Sequence, residues 1–260
     1  MAVTFNKPPL EEVIVGAYFA QPLPLRSELV GLFWSEVRKE LPVIQQQVEL
    51  PPPFGPTQAF GLPGPGELYP MPRFLLVSED ESILVQIQKN AFLLNWRKRN
   101  TEYPRFDSVK KRFDVYYAAL VDFVSRELRT EMPLIQSTEL TYSNLVDECP
   151  HWGRAWDASN VIPGFSFPNV GAEASRVDFN NVTAYTLEPD LMLNVAIRTA
   201  RRPTNANAVV LAFDLRTIGA LGAASKPEAD NWYERAHETI IRTFTAITAQ
   251  DIQRDHWQRS

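Results

Sequence analysis

The sequence predicts an α+β fold, with about eight largely antiparallel strands in two meanders packed against three main helices. Three observations predict it. Runs rich in β-branched and aromatic residues come in consecutive groups, joined by turns too short for a crossover helix. Three longer stretches switch to the 3.6-residue apolar period of an amphipathic helix. The composition, 45% hydrophobic and 22% charged over 260 residues, can fill a sizeable core and lies far from the disordered or fibrous ranges.

The elements follow in order. "EEVIVGAYFA" (11–20) reads as a strand that Pro22 and Pro24 end. Ser27 is a good N-cap, because its hydroxyl can accept from an orphan backbone N–H. The helix after it carries Leu29, Leu32, Phe33, Val37 and Leu41 on one stripe, and Pro42 stops it. Residues 51–72 hold eight prolines and four glycines, a density that neither a helix nor a central strand survives. This loop also carries Phe54, Phe60 and Tyr69, which are costly to leave in water, so it is expected to pack over the fold or a partner. A meander follows, with strands at 73–78, 82–88 and 91–98 and turns at Glu79-Asp80-Glu81 and Lys89-Asn90.

A helix is expected at 108–128, capped by Asp107 or Ser108, with an apolar face from Val109 to Leu128. "PLIQSTELTYSNLVD" (133–147) reads as a long strand, 148–171 as irregular, and 174–187, 189–201 and 207–216 as strands. Pro227 and nearby acidic residues open the last long helix. Thr248 with Asp251 resembles a capping box for a short final helix. Trp232 and Trp257 are expected to divide between core packing and a subunit contact. The chain is read as one α+β domain, 1–260. Pro-Leu openings at Pro9-Leu10 and Pro133-Leu134 suggest a pseudo-repeat of halves 1–130 and 131–260.

The phrase Phe5-x-Lys7-Pro-Pro-Leu-Glu-Glu-Val13 resembles the opening of a sporadically distributed bacterial family of unassigned function. Phe33-Trp34, "LVQIQKNAFLLNWRK" (84–98) followed by Tyr103-Pro104, and "AHETIIRTF" (236–244) are similar too. The resemblance spans nearly the whole chain. It implies a bacterial protein with one shared architecture, and it implies no activity.

The net charge of −5 gives no whole-protein field for nucleic acid or acidic membrane, so any basic site must be local. One cysteine, Cys149, excludes an internal disulfide and a cysteine-rich zinc site. No secretory signal or membrane-spanning run is read, so a cytoplasmic protein is expected.

Along the strand at 91–98, Phe92, Leu94 and Trp96 share one face and Ala91, Leu93, Asn95 and Arg97 the other. Both faces carry large apolar residues, so both are expected to be covered. Asn95 and Arg97 then need internal partners, with Glu11 or Glu12 the expected mate of Arg97. Between Arg97 and Arg112 the chain carries seven cations (Arg97, Lys98, Arg99, Arg105, Lys110, Lys111 and Arg112) against Glu102 and Asp107, with Trp96, Tyr103 and Phe106 interleaved. Arginines with aromatic platforms suit a nucleotide or single strand. Lys110, Lys111 and Arg112 oppose the dipole of their own helix. An acidic neighbour, such as the turn 79–81 or a second subunit, is expected to offset them. Arg198, Arg201 and Arg202 form a smaller cluster.

Asp147, Cys149 and His151 are close in sequence, but no oxyanion signature flanks them. The three histidines lie far apart, and no glycine-rich phosphate loop is present. No catalytic, cofactor or metal residue is therefore assigned. The function expected is a non-catalytic binding or regulatory module. It docks a partner protein through 51–72 and 148–170 and forms a homodimer. The alternatives are a nucleic-acid or nucleotide binder using 96–112 with Arg201 and Arg202, and an enzyme of unrecognised type.

Overall fold

The computed structural model of the chain describes residues 3–53, 70–99, 101–147, 158–165, 178–202 and 205–260. Its strands form one antiparallel sheet of nine, in the order β2-β3-β4-β5-β1-β6-β9-β8-β7. β1 (Leu10–Phe19) and β6 (Ile135–Val146) lie side by side at the centre. One flank holds β5 (Ala91–Arg97), β4 (Ile83–Gln88), β3 (Arg73–Val77) and β2 (Val43–Gln47). The other holds β9 (Asn205–Ala224), β8 (Leu191–Arg202) and β7 (Asn180–Glu188).

The sheet has nine strands where about eight are expected. The addition is β2, whose VIQQQ is exposed along its whole length. It pairs with β3 from Val43–Val77 to Gln47–Arg73. A solvated edge strand needs no apolar alternation, so its own pattern is silent. The last strand, β9, runs past the expected 207–216 as far as Ala224, because it pairs with β6 up to Ile135–Ala224.

Three long helices cover one face: α1 (Ser27–Val37), α2 (Phe106–Phe123) and α4 (Lys226–Ile247). Two short ones among the described residues are α3 (Ala158–Val161) and α5 (Gln250–Asp255). A continuous core joins that sheet face to the helices through Val13, Phe92, Trp96, Leu140, Phe213, Phe33, Phe113, Phe123, Trp232 and Tyr233. Trp232 and Trp257 are 1% and 5% exposed, so both belong to the core and neither is a subunit contact. α2 runs into a π-helical turn, Val124–Leu128, and stops at Arg129 in the left-handed region, φ 51°. Among the described residues no helix is long and apolar enough to cross a membrane.

Several cap expectations are corrected. Ser27 is the first helical residue of α1, with Arg26 in the cap position and no side-chain cap bond. α2 begins at Phe106, before Asp107 and Ser108, and its cap position is Arg105. The Thr248 hydroxyl donates to Phe244 O at 2.7 Å, so it closes α4 and does not open α5. The well-capped helix is α4, where the Glu228 carboxylate accepts from both the backbone N–H and the hydroxyl of Ser225, each at 2.7 Å.

The sheet order matches across its centre: β1 corresponds to β6, β5 to β9, β4 to β8 and β3 to β7. Each half starts at the middle, returns by a meander to its first strand, and ends in a long helix on the same face. The Pro-Leu echo is not the correspondence. It would equate Tyr18 with Tyr142, yet Tyr142 lies in the main core and Tyr18 in a small cluster on the other face. The residues that do correspond are on the helices. Lys110, Asp114 and Tyr117 on α2 match Lys226, Asp230 and Tyr233 on α4 at equal spacing. They close a four-membered ion-pair ring. Lys110 reaches Asp114 at 2.8 Å and Asp230 at 2.6 Å, and Lys226 reaches Asp114 and Asp230 at 2.6 Å each. Lys110 also sits over Tyr233, and Lys226 over Tyr117.

Candidate functional site

The helices cover one face of the sheet. On the other, alternate strand positions place polar and charged side chains in a continuous band. The centre of this band is Glu139 on β6, 5% exposed. Its Oε2 accepts from the Tyr18 hydroxyl at 3.0 Å and from Arg216 Nη2 at 2.7 Å, and its Oε1 accepts from Thr141 at 2.9 Å. Burial, with the Glu139 charge beside it, pushes the Tyr18 phenol well above its usual range. Gly16, directly opposite both Leu93 and Glu139 in the ladder, leaves the space over which Leu93 lies. An added Cβ there would meet Leu93 at 3.0 Å.

A second group lies on β1, β5 and β4. Glu12 and Arg97 are directly paired across the ladder, and Arg97 Nε donates to Glu12 Oε1 at 3.1 Å. Asn95 Nδ2 donates to the same oxygen at 2.7 Å, and Asn95 Oδ1 accepts from Gln86 Nε2 at 2.6 Å. Thus Glu12, Asn95 and Arg97 come together as one hydrogen-bonded set. The chain continues through Arg73 on β3, whose Nη1 donates to Gln86 Oε1 at 2.7 Å and Nη2 to Gln47 Oε1 at 2.6 Å. A cleft of about 430 Å³ opens over this array, walled by Leu75, Leu84, Leu93 and the start of the proline-rich loop, Pro51 to Pro53. The entry to that loop is fixed by Leu50, whose N–H donates to the Gln88 side chain at 3.0 Å and whose carbonyl accepts from it at 2.8 Å.

The cations of the basic corner scatter, and most are engaged within the chain. Lys98 lies 3.9 Å from Glu11 and Arg99 3.4 Å from Glu81. Arg105 donates to Phe5 O at 3.0 Å. Lys110 is 8% exposed and is spent on the ion-pair ring, so its offset comes from its own helix and α4, not from the turn 79–81. Lys111 and Arg112 are exposed on α2. Arg202 is clamped by Asp147 at 2.6 Å and reaches Glu11 at 3.3 Å, Arg198 pairs with Asp214, and Arg201 is exposed. Tyr103 packs inward, its hydroxyl 2.8 Å from that of Tyr142. Phe54, Phe60, Tyr69, Cys149, His151 and most of 148–170 lie outside the described residues.

A second cavity, about 960 Å³, lies on the helical side among Phe5, Tyr103, Phe106, Tyr142, His237 and Phe244. His237 stacks on Phe106 with centroids 4.2 Å apart and planes 12° apart. Burial lowers its pKa to about 4, so it is neutral near pH 7. Arg105, which also lines this cavity, has φ 76° and ψ 157°, a backbone region that only glycine enters freely.

Tyr18, Arg73, Gln86, Glu139 and Arg216 are absent from the sequence-based site. Their signal was present: Gln86 and Gln88, Glu139 and Thr141, and Asp214 and Arg216 are polar pairs two apart inside apolar strands. Such a pattern puts polar groups on one sheet face. No group of three or more His, Cys, Asp or Glu among the described residues is placed to hold a cation. No protein-family model matches the chain, and no curated protein matches it.

Proposed function

We propose that the protein is a non-catalytic binding module that docks a partner protein on the open, polar face of its sheet, beside the proline-rich loop. The observation that carries this reading is a pre-organised array of buried polar side chains under a cleft. Maintaining charges on a sheet face is costly, and apolar residues of like volume would hold a sheet as well or better. A recognition surface gives such an array a purpose. A binding role suits it better than a catalytic one. Glu139 is held on both oxygens, Glu12 is engaged with Asn95 and Arg97, and the Tyr18 phenol is held protonated. Among the described residues no base or nucleophile is poised there.

Self-association belongs to the same proposal. The edge strand β7 is exposed over its whole length and presents Val182, Tyr185 and Leu187 to solvent. A bacterial setting, following the resemblance, and a cytoplasmic one, following the expectation from composition and the apolar runs, are also part of it. Nucleic-acid binding through 96–112 is the weaker reading, because most of those cations meet acceptors within the chain.

The test is affinity capture from the organism that makes the protein, comparing wild type, the Arg216→Glu variant and a deletion of 54–69. Retention of one partner by wild type and its loss from both variants is expected. Equal retention by all three would overturn the reading.

A further inference from the structure

Three guanidinium groups line the cleft on the open face: Arg73, Arg97 and Arg216. Two have carboxylates, Arg97 with Glu12 and Arg216 with Glu139. Arg73 has none within ion-pair distance among the described residues. Its two terminal nitrogens rest on the neutral amide oxygens of Gln86 and Gln47, and its buried Nε has no hydrogen-bond partner among the described residues. Amide oxygens fix the plane of a guanidinium but leave its charge unbalanced. Its desolvation agrees with this, since burial pulls the Arg73 pKa down. A cation held in place and not neutralised is unfavourable in the empty protein, and it is what an anion-binding site requires.

The cleft fixes what else the anion must carry. Beside Arg73 the walls are the side chains of Leu75, Leu84 and Leu93 and the prolines 51–53. Its volume of about 430 Å³ suits a small organic body. The planar fork of arginine matches a carboxylate. We propose that this cleft binds a carboxylate on a short apolar body, the carboxylate on Arg73 and the body between the leucines and the prolines. The inference rests on the binding reading above and names its chemistry. The carboxylate comes either from a small organic acid or from the C-terminus of a docked protein chain.

The test is calorimetric titration of the whole protein with benzoate, with benzamide as its uncharged likeness, and with acetyl-Gly-Gly-Leu as free acid and as amide. The acid of at least one pair is expected to bind about ten- to a hundredfold tighter than its amide, the range of one charge-assisted contact. The Arg73→Gln variant is expected to lose the preference, and Arg73→Lys to keep part of it. Preferential heat stabilisation of the unaltered protein by the acid provides a readout that does not depend on how the variants fold. A preference for benzoate indicates a free acid, and one confined to the peptide indicates a C-terminus. Equal binding of acid and amide, no binding of either acid, or a preference that survives in Arg73→Gln would each overturn the inference. If the acids fail while open-face variants still lose the captured partner, the carboxylate assignment falls and the docking reading stands. If the acids bind and partner retention is indifferent to the open face, the reverse holds.

Discussion

Glu139 shows most clearly what the open face requires of single residues. Three donors converge on one carboxylate that is itself almost fully buried. Removing it by Glu139→Ala strands the Arg216 charge and the Tyr18 hydroxyl together. The expected cost is about 2–3 kcal/mol, below the roughly 3–5 of a fully buried pair because Arg216 reaches solvent. Urea unfolding measures it. A companion variant, Glu139→Leu with Arg216→Met, should regain most of the loss, since no charge is then left unpaired. His237 makes a pH-dependent statement. Its pKa is about 4 in the folded protein and about 6.5 when unfolded. Between those values the unfolded chain binds the extra proton, so stability rises with pH across that window and is fully present above it. The His237 contribution amounts to at most about 3 kcal/mol. Unfolding measured from pH 7 to pH 4 should show this loss, and a His237→Leu variant should show a flatter profile.

At the scale of elements, the central strands and the three long helices were legible in the sequence because each obeys one period. β5 illustrates this: Phe92, Leu94 and Trp96 join the helical core, while Ala91 and Leu93 join a cluster with Tyr18 on the other face. What local pattern could not show is set by neighbours. β2 exists because β3 offers it a ladder. α2 starts two residues early because Phe106 stacks on His237, 131 positions further along the chain. The polar array was half legible. Glu12, Asn95 and Arg97 were readable because one strand's alternation demanded a partner. The polar spacing around Glu139 and Arg216 was present as well, but not their pairing with each other or that of Arg73 with Gln86 and Gln47, because these depend on strand order, which no single segment encodes. Close packing between elements supplies its own prediction at Gly219 on β9. A Cβ there would lie 2.2 Å from Thr138 Oγ1 and 2.6 Å from the Trp232 ring. That ring is anchored by its N–H to Asp190 O at 2.9 Å. Gly219→Ala is therefore expected to push α4 off the sheet, at about 1–3 kcal/mol, read as a lower midpoint of thermal unfolding.

For the whole molecule, the matching strand order of the two flanks of the sheet organises what each face does. The long helices of both halves lie on one face and are locked together there by the ring of Lys110, Asp114, Lys226 and Asp230. Among the described residues no long helix covers the other face, and the two central strands bring Tyr18 and Glu139 together on it. The repeat was visible in the sequence as Lys-x-x-x-Asp-x-x-Tyr, at 110–117 and 226–233. It is easily passed over, because the strands, whose sequences diverge, draw the eye first. Two of the cavities lie on opposite sides of the sheet, and the docking site proposed for this chain is the one on the open face. Backbone amide NMR shifts of the isotopically labelled protein, recorded as captured partner or acid probe is added, distinguish them most directly. The largest shifts are expected at Tyr18, Arg73, Gln86, Asn95 and Glu139. Shifts concentrated at Tyr103, Phe106 and His237, with the open face unmoved, would contradict it.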